Sequence, residues 1–221
     1  MKLKVCGMKF IENMQQVAAL QPDYLGFIFY DKSPRNFEGI IPELPKEIKK
    51  VGVFVNEYVE IVVSLVQEYQ LDAVQLHGDE SPEYIQKLKA IFQQAEEELI
   101  AGLKRKRKPK ILEIIKVFGI KESFDFKELL PYENEVDFFL FDTKGKERGG
   151  NGVVFDWTVL NNYPSKTPFF LSGGIGLNEI PALEKIKKTT LPIYALDVNS
   201  KFESEPGIKS VKKLKEFKSK I

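Results

Sequence analysis

Cys6, the only cysteine in the 221-residue chain, follows Leu3-Lys4-Val5 and immediately precedes Gly7. A thiol with an ordinary pKa of about 8.5 needs only modest tuning to accept a proton near neutral pH as the thiolate. The alternative is a small buried apolar residue. Asp142 ends the run Phe138-Phe139-Leu140-Phe141. A carboxylate is costly to desolvate there unless paired, so its pKa would rise toward the range of a general acid; otherwise it is a structural cap or a partner for Lys144. Arg35, in Ser33-Pro34-Arg35, carries a planar fork able to hold a carboxylate through two parallel hydrogen bonds, or is a surface arginine. His77, the only imidazole, sits between Leu76 and Gly78 and reads equally well as a neutral, hydrogen-bonded support beneath a site.

Three stretches are suited to an anion such as a phosphate: Gly149-Gly150-Asn151-Gly152, Ser172-Gly173-Gly174 and Val198-Asn199-Ser200, the last following Asp197 at a strand end. Glycine lets successive backbone N–H groups turn toward one point and lets the chain approach closely. The alternative is simple tight turns. The candidate substrate-binding residues are therefore Arg35, Gly150, Gly152, Ser172, Gly173, Gly174, Asp197, Asn199 and Ser200. The charged, glycine-rich loop Lys144–Gly152 is expected to be mobile without ligand and ordered by it.

These residues need a frame that gathers strand ends. Short runs rich in Val, Ile, Leu and Phe predict strands at Leu3–Cys6, Tyr24–Phe29, Lys50–Phe54, Ala73–Leu76, Ile111–Val117, Asp137–Phe141, Pro168–Leu171 and Ile193–Leu196. Such weak alternation suits strands buried on both faces. Amphipathic spacing predicts helices at Glu57–Tyr69, Pro82–Phe92, Asn178–Ile186 and Val211–Phe217, with Ser81 and Pro82 marking the start of the second. Eight strand–helix alternations predict an α/β fold, a single-domain (β/α)8 TIM barrel over residues 1–221. Its active site would lie where the chemistry-bearing residues gather, at the carboxyl ends of the strands. A charged helix or loop insertion is expected at about 93–110, and its Lys104–Lys108 run reads as a solvated connection on the opposite face.

Composition narrows the class. Lysine plus arginine (33) nearly balances aspartate plus glutamate (32), so no general attraction to nucleic acid or anionic membrane is expected. One cysteine cannot form an intramolecular disulfide, and there is neither a signal-peptide pattern nor an apolar stretch of membrane-spanning length. A cytoplasmic protein with a small-molecule substrate is the expectation. One histidine and one cysteine leave no basis for a zinc site.

The same residues resemble the phosphoribosylanthranilate isomerase family. Lys4-Val5-Cys6-Gly7-Met8 is similar to its opening motif, and Gly26-Phe27-Ile28-Phe29 leading to Ser33-Pro34-Arg35 to its second strand and arginine loop. Val51–Asn56, Val74–Gly78, Phe141-Asp142-Thr143, Gly149–Gly152 with Phe155-Asp156-Trp157, Leu171–Gly174 and Leu196–Ser200 follow in family order. The resemblance covers Lys4 to about Lys209. It implies an Amadori rearrangement in tryptophan biosynthesis without cofactor or metal; the expected assembly is a monomer or homodimer. It also implies that Cys6 is the base, Asp142 the acid, Arg35 the carboxylate clamp and the glycine loops the phosphate site. Lys9, Lys201 and the long 93–110 stretch depart from the family pattern. Two other readings are a related aminoaldose-phosphate isomerase of histidine biosynthesis, for which an aspartate would be expected at Cys6, and a non-catalytic phosphate-binding barrel.

Overall fold

The computed structural model describes residues 1–103, 108–143 and 155–221. Eight parallel strands close into a barrel in chain order: β1 (Lys2–Val5), β2 (Tyr24–Phe29), β3 (Lys49–Phe54), β4 (Ala73–Leu76), β5 (Glu113–Ile120), β6 (Phe138–Thr143), β7 (Phe169–Leu171) and β8 (Ile193–Val198). β8 pairs back onto β1, with Lys4 opposite Asp197 and Val5 opposite Val198. Successive strand residues point to opposite faces of the wall. Val117, Phe138, Leu140, Phe170 and Ala195 cluster inside the barrel, whereas Val5, Phe139, Phe141, Leu171 and Leu196 pack against the outer shell. The same alternation carried to the strand ends puts Cys6, His77, Asp142, Ser172 and Asp197 on the inner side at one mouth.

The other mouth is closed by polar groups. Lys2 Nζ donates to the Tyr194 hydroxyl at 2.6 Å, and the Tyr24 hydroxyl lies 3.2 Å from both Tyr194 and Glu113. Burial, the hydrogen bond to Tyr194 and nearby Glu113 all push the Tyr24 hydroxyl pKa up, so it stays a neutral donor.

The shell is less regular than eight alternations predict. Helix α1 (Ile11–Ala18), absent from the sequence reading, follows β1 and buries Met14, Val17 and Ala18 at spacings of three and one. Helix α2 (Val59–Tyr69) buries Val59, Val62, Val63 and Val66 and ends at Gln70, which is left-handed. Helix α3 (Pro82–Ala101) starts where Ser81 Oγ accepts from the Tyr84 N–H, 3.3 Å apart. It continues through much of the charged stretch because Glu96 prolongs the buried face of Ile85, Leu88 and Phe92. The Glu96 carboxylate accepts the Lys110 N–H at 2.9 Å, tying the returning chain to the helix. Residues 104–107 of the basic run lie outside the described residues. Helices α4 (Ile180–Ile186) and α5 (Val211–Lys218) follow β7 and β8.

Among the described residues no α-helix follows β2, β5 or β6. Residues 30–48 contain Pro34, Pro42 and Pro45, which oppose a continuous helix. Phe37 covers that part of the wall, against Phe27 and Phe29. After β5 the chain makes only the 3-10 turn Phe126–Tyr132, which contains Pro131, and before β7 the 3-10 turn Trp157–Asn162. Phe124, Phe126 and Tyr163 pack edge-to-face on Phe118, Phe141 and Phe169, supplying the apolar cover a helix would give. Among the described residues no helix is long and apolar enough to cross a membrane.

Candidate active site

Cys6 stands one residue beyond β1, where its N–H donates to the Val198 carbonyl at 2.9 Å. Its thiol fits only because residue 26 is glycine: a Cβ there would come within 2.8 Å of Cys6 Sγ. Two residues earlier on the same inner face, Lys4 is fully buried, and its ammonium donates to Asp197 Oδ1 at 2.8 Å. Burial pushes the Lys4 pKa down, but the Asp197 carboxylate and the Cys6 thiol more than offset this, so Lys4 stays charged. Burial pushes the Cys6 thiol up, Lys4 draws it back and Asp197 adds to the rise. The net direction is upward, away from the thiolate, so the resting form of Cys6 is the thiol.

Asp142 lies near the end of β6, separated from β1 by β7 and β8. Burial and the charge of Asp197 push its carboxyl up to about 6. The Thr143 N–H, 2.8 Å from Oδ1, together with Lys4 and Ser172, holds it partly back. Ser172, just past β7, reaches from Oγ to Asp197 Oδ2 at 3.5 Å. A chain of polar groups thus runs along the inner wall from Asp142 through Ser172, Asp197 and Lys4 to Cys6. His77 Nε2 lies 3.6 Å from Asp142 Oδ2, and Gln75 Nε2 lies 3.3 Å from the other imidazole nitrogen. The loop carrying His77 is braced from behind. Glu80 accepts from the N–H groups of Asn56 and Gly78 at 2.8 and 2.9 Å and pairs with buried Lys116 at 3.0 Å.

The anion-binding candidates divide. Gly173 and Gly174 adopt φ of +88° and +64°, and a Cβ on Gly173 would come within 2.7 Å of the Thr143 nitrogen, so glycine is required there. Among the described residues, the Gly173 and Gly174 N–H groups donate to no hydrogen bond, which suits them to an incoming anion. Ser200 opens the 3-10 turn Ser200–Phe202, and Lys201 packs against Gly176. Gly150, Gly152 and the rest of the Lys144–Gly152 loop lie outside the described residues. Arg35 and Asn199 meet above Gly7, with Arg35 Cδ and Asn199 Oδ1 each 2.8 Å from where a Gly7 Cβ would stand. The guanidinium does not project freely: Glu203 accepts from its Nε at 2.9 Å and from its Nη2 at 2.7 Å. Lys209 Nζ joins the cluster, donating to Asn199 Oδ1 at 2.6 Å and Glu203 Oε1 at 2.5 Å.

Sequence reading missed Lys4, Glu203 and Lys209 as site groups. Lys4 carried a signal, a charge inside an apolar strand at the same parity as Cys6. Glu203 and Lys209 carried none, because their ion pairs form across a hairpin and a distant loop. Among the described residues no group of three or more His, Cys, Asp or Glu residues could hold a metal ion.

With this geometry in place, the chain can be set beside known proteins. Residues 3–101 and 96–220 match the family model described as N-(5'phosphoribosyl)anthranilate (PRA) isomerase. The chain is 40% identical over 228 residues to the N-(5'-phosphoribosyl)anthranilate isomerase of Parabacteroides distasonis, covering 100% of this chain and 93% of the relative. It superposes on the crystal structure of phosphoribosyl anthranilate isomerase from Thermotoga maritima with a TM-score of 0.78 at 28% identity, covering 99% and 97% of the two chains. A second solved phosphoribosyl anthranilate isomerase, in complex with reduced 1-(o-carboxyphenylamino)-1-deoxyribulose 5-phosphate, gives a TM-score of 0.76 at 27% identity over 99% and 97%.

Proposed function

The chain belongs to the N-(5'-phosphoribosyl)anthranilate isomerase family, and on that premise we propose that it rearranges N-(5'-phosphoribosyl)anthranilate to 1-(2-carboxyphenylamino)-1-deoxyribulose 5-phosphate in tryptophan biosynthesis, with Asp142 as general acid and Cys6 as general base. The observation that carries the assignment is the environment of Asp142. Its carboxyl is pushed up to about 6 on the inner face of the strand ends, in one polar chain with Cys6.

The Asp142 carboxyl gives its proton to the furanose ring oxygen, and the ring opens to a Schiff base. The Cys6 thiolate then removes the C2′ proton, leaving an enolamine. Protonation at C1′ and loss of the O2′ proton complete the aminoketone. Lys4 supports the step electrostatically: its ammonium favours the thiolate at the moment it forms. Arg35 meets the anthranilate carboxylate, while the Gly173 and Gly174 N–H groups and Ser200 receive the phosphate, with Gly150 and Gly152 as further donors. Holding both ends of the substrate fixes the reacting carbons between acid and base, which removes much of the entropic part of the barrier.

The test follows the fluorescence of freshly made phosphoribosylanthranilate in the presence of the purified chain. Turnover is expected, and the Cys6→Ser variant should lower kcat by at least about 10²-fold, the scale for losing a general base. Folded protein without turnover would defeat the proposal. Near-normal kcat in Cys6→Ser would remove Cys6 from the mechanism.

A further inference from the structure

Glu203 begins the hairpin formed by β9 (Glu203–Glu205) and β10 (Ile208–Lys209), beyond the residues so far given a chemical role. It is almost wholly buried, with its side chain 5% exposed, and it touches two cations at once. Nε of Arg35 donates to both carboxylate oxygens at 2.9 and 3.0 Å, and Nη2 donates to Oε2 at 2.7 Å. Lys209 Nζ and the Gly207 N–H both donate to Oε1, at 2.5 and 3.0 Å. The hairpin is bolted down on its far side. Asn13 of α1 accepts the Lys209 N–H at 2.7 Å and donates to the Lys209 carbonyl at 2.9 Å. Burial alone would raise the Glu203 pKa, but Arg35 and Lys209 outweigh it and keep the carboxylate ionised.

Two consequences follow. A guanidinium is rigid and planar, so a carboxylate gripping its Nε–Nη2 edge fixes both the plane and the edge left over. That remaining edge is the Nη1–Nη2 end, and among the described residues Nη1 has no acceptor. Moreover, Lys209 shares the one Glu203 carboxylate beside Gly7, so Glu203 does not neutralise the guanidinium alone, even though burial pulls the Lys209 pKa down.

We propose that Glu203 is the positioning residue of the carboxylate clamp: it holds Arg35 by one edge so that the opposite end receives the substrate's aromatic carboxylate. The proposal rests on the reading above, in which Arg35 meets that carboxylate. Glu203 touches no reacting atom, so its effect appears in recognition of the carboxylate rather than in the proton transfers.

Steady-state kinetics of the full chain and of Glu203→Gln, Arg35→Ala and the double variant test it. Glu203→Gln should raise KM about tenfold, the scale of one charge-assisted hydrogen bond, and change kcat less than about threefold. In the Arg35→Ala background the same substitution should add nothing to KM. Binding of an anilino analogue of the product without the carboxyl group should be unchanged by Glu203→Gln. An unchanged KM in Glu203→Gln, an equal rise in the Arg35→Ala background, or equal weakening of the analogue without the carboxyl group would overturn the proposal. If Glu203→Gln does not fold because Lys209 is left unpaired, Glu203→Gln with Lys209→Met removes the stranded charge, and the same KM rise is required of it. Absence of turnover in the unaltered chain would instead remove the reading beneath the proposal. Normal turnover with any of the contrary results above removes the proposal alone.

Discussion

Replacing Asp142 by asparagine should change the shape of the pH–rate profile, not only its height. The proposed mechanism needs Asp142 protonated and Cys6 ionised together. The structure places their pKa values in the opposite order, with Asp142 at about 6 and the thiol above its ordinary value. With Asp142 at about 6, roughly a tenth of it is protonated at pH 7, and a thiol held above its ordinary value is ionised only in a small minority of molecules, so the doubly competent form is scarce. Between the two pKa values a rise in pH removes the acid as fast as it creates the base, and kcat/KM is flat. Below about pH 6 the acid is saturated and kcat/KM falls about tenfold per unit with the thiolate. The low-pH break therefore reports Asp142, and the high-pH break reports Cys6. In Asp142→Asn the rate should drop at least about 10²-fold, and what remains should climb about tenfold per unit straight through pH 6. The wild-type to variant ratio should be constant below pH 6 and decline above it. The substrate phosphate, which titrates near the same pH, cancels in that ratio. Stopped or continuous fluorescence assays from pH 5 to 9 on both proteins give it directly. A ratio independent of pH across that range would refute the assignment of Asp142 as the titrating acid.

Other consequences are open to measurement. Because the Asp142 pKa is raised in the fold to about 6 from 3.8, ionisation opposes folding. The cost is absent below about pH 4, grows to about pH 6 and then stays at about 3 kcal/mol. Denaturation of Asp142→Asn should therefore show stability gained over wild type between pH 4 and 6 and kept above it, and parallel curves would contradict the burial argument. Lys4→Met strands the buried Asp197 carboxylate, so about 3–5 kcal/mol should be lost in denaturant unfolding and the high-pH break in kcat/KM should move up; an unchanged midpoint would show that the pair carries no such load. Gly26→Ala forces a Cβ to within 2.8 Å of Cys6 Sγ. It should cost about 1–3 kcal/mol and lower kcat, which unfolding curves and the same assay would check.

Much of the frame was legible in the residues themselves. Runs such as Phe138–Phe141 and Phe169–Leu171 are apolar at every position because a closed parallel barrel buries both faces of its wall. That is a local property of composition, and all eight strands appear where the runs lie. The Val59–Val66 spacing likewise marked α2. Helix α1 escaped because it is short and its exposed face carries Ile11, which blurs the polar side. Among the described residues, helices are missing after β2, β5 and β6 because aromatic cover takes their place, from Phe37 over β2, from Phe124 and Phe126 after β5, and from Tyr163 beyond β6. Tyr163, for example, packs edge-to-face on Phe141 across more than twenty residues of chain.

The site divides along the same line. Residue type and position beside an apolar run marked Cys6, Asp142 and Arg35 as candidates, since each carries its chemistry in its own side chain. Their electrostatic state belongs to neighbours remote in sequence. Asp197, 55 residues beyond Asp142, helps push that carboxyl up to about 6, and the same aspartate holds Lys4 against Cys6. Arg35 reads as a free fork in the sequence and is a half-engaged one in the fold, because Glu203 arrives from a hairpin 168 residues later. Identity and placement of the proposed acid, base and clamp were therefore properties of the chain. Which of them is protonated at rest, and which edge of the clamp is open, were decided only by burial and by charges that meet when the barrel closes.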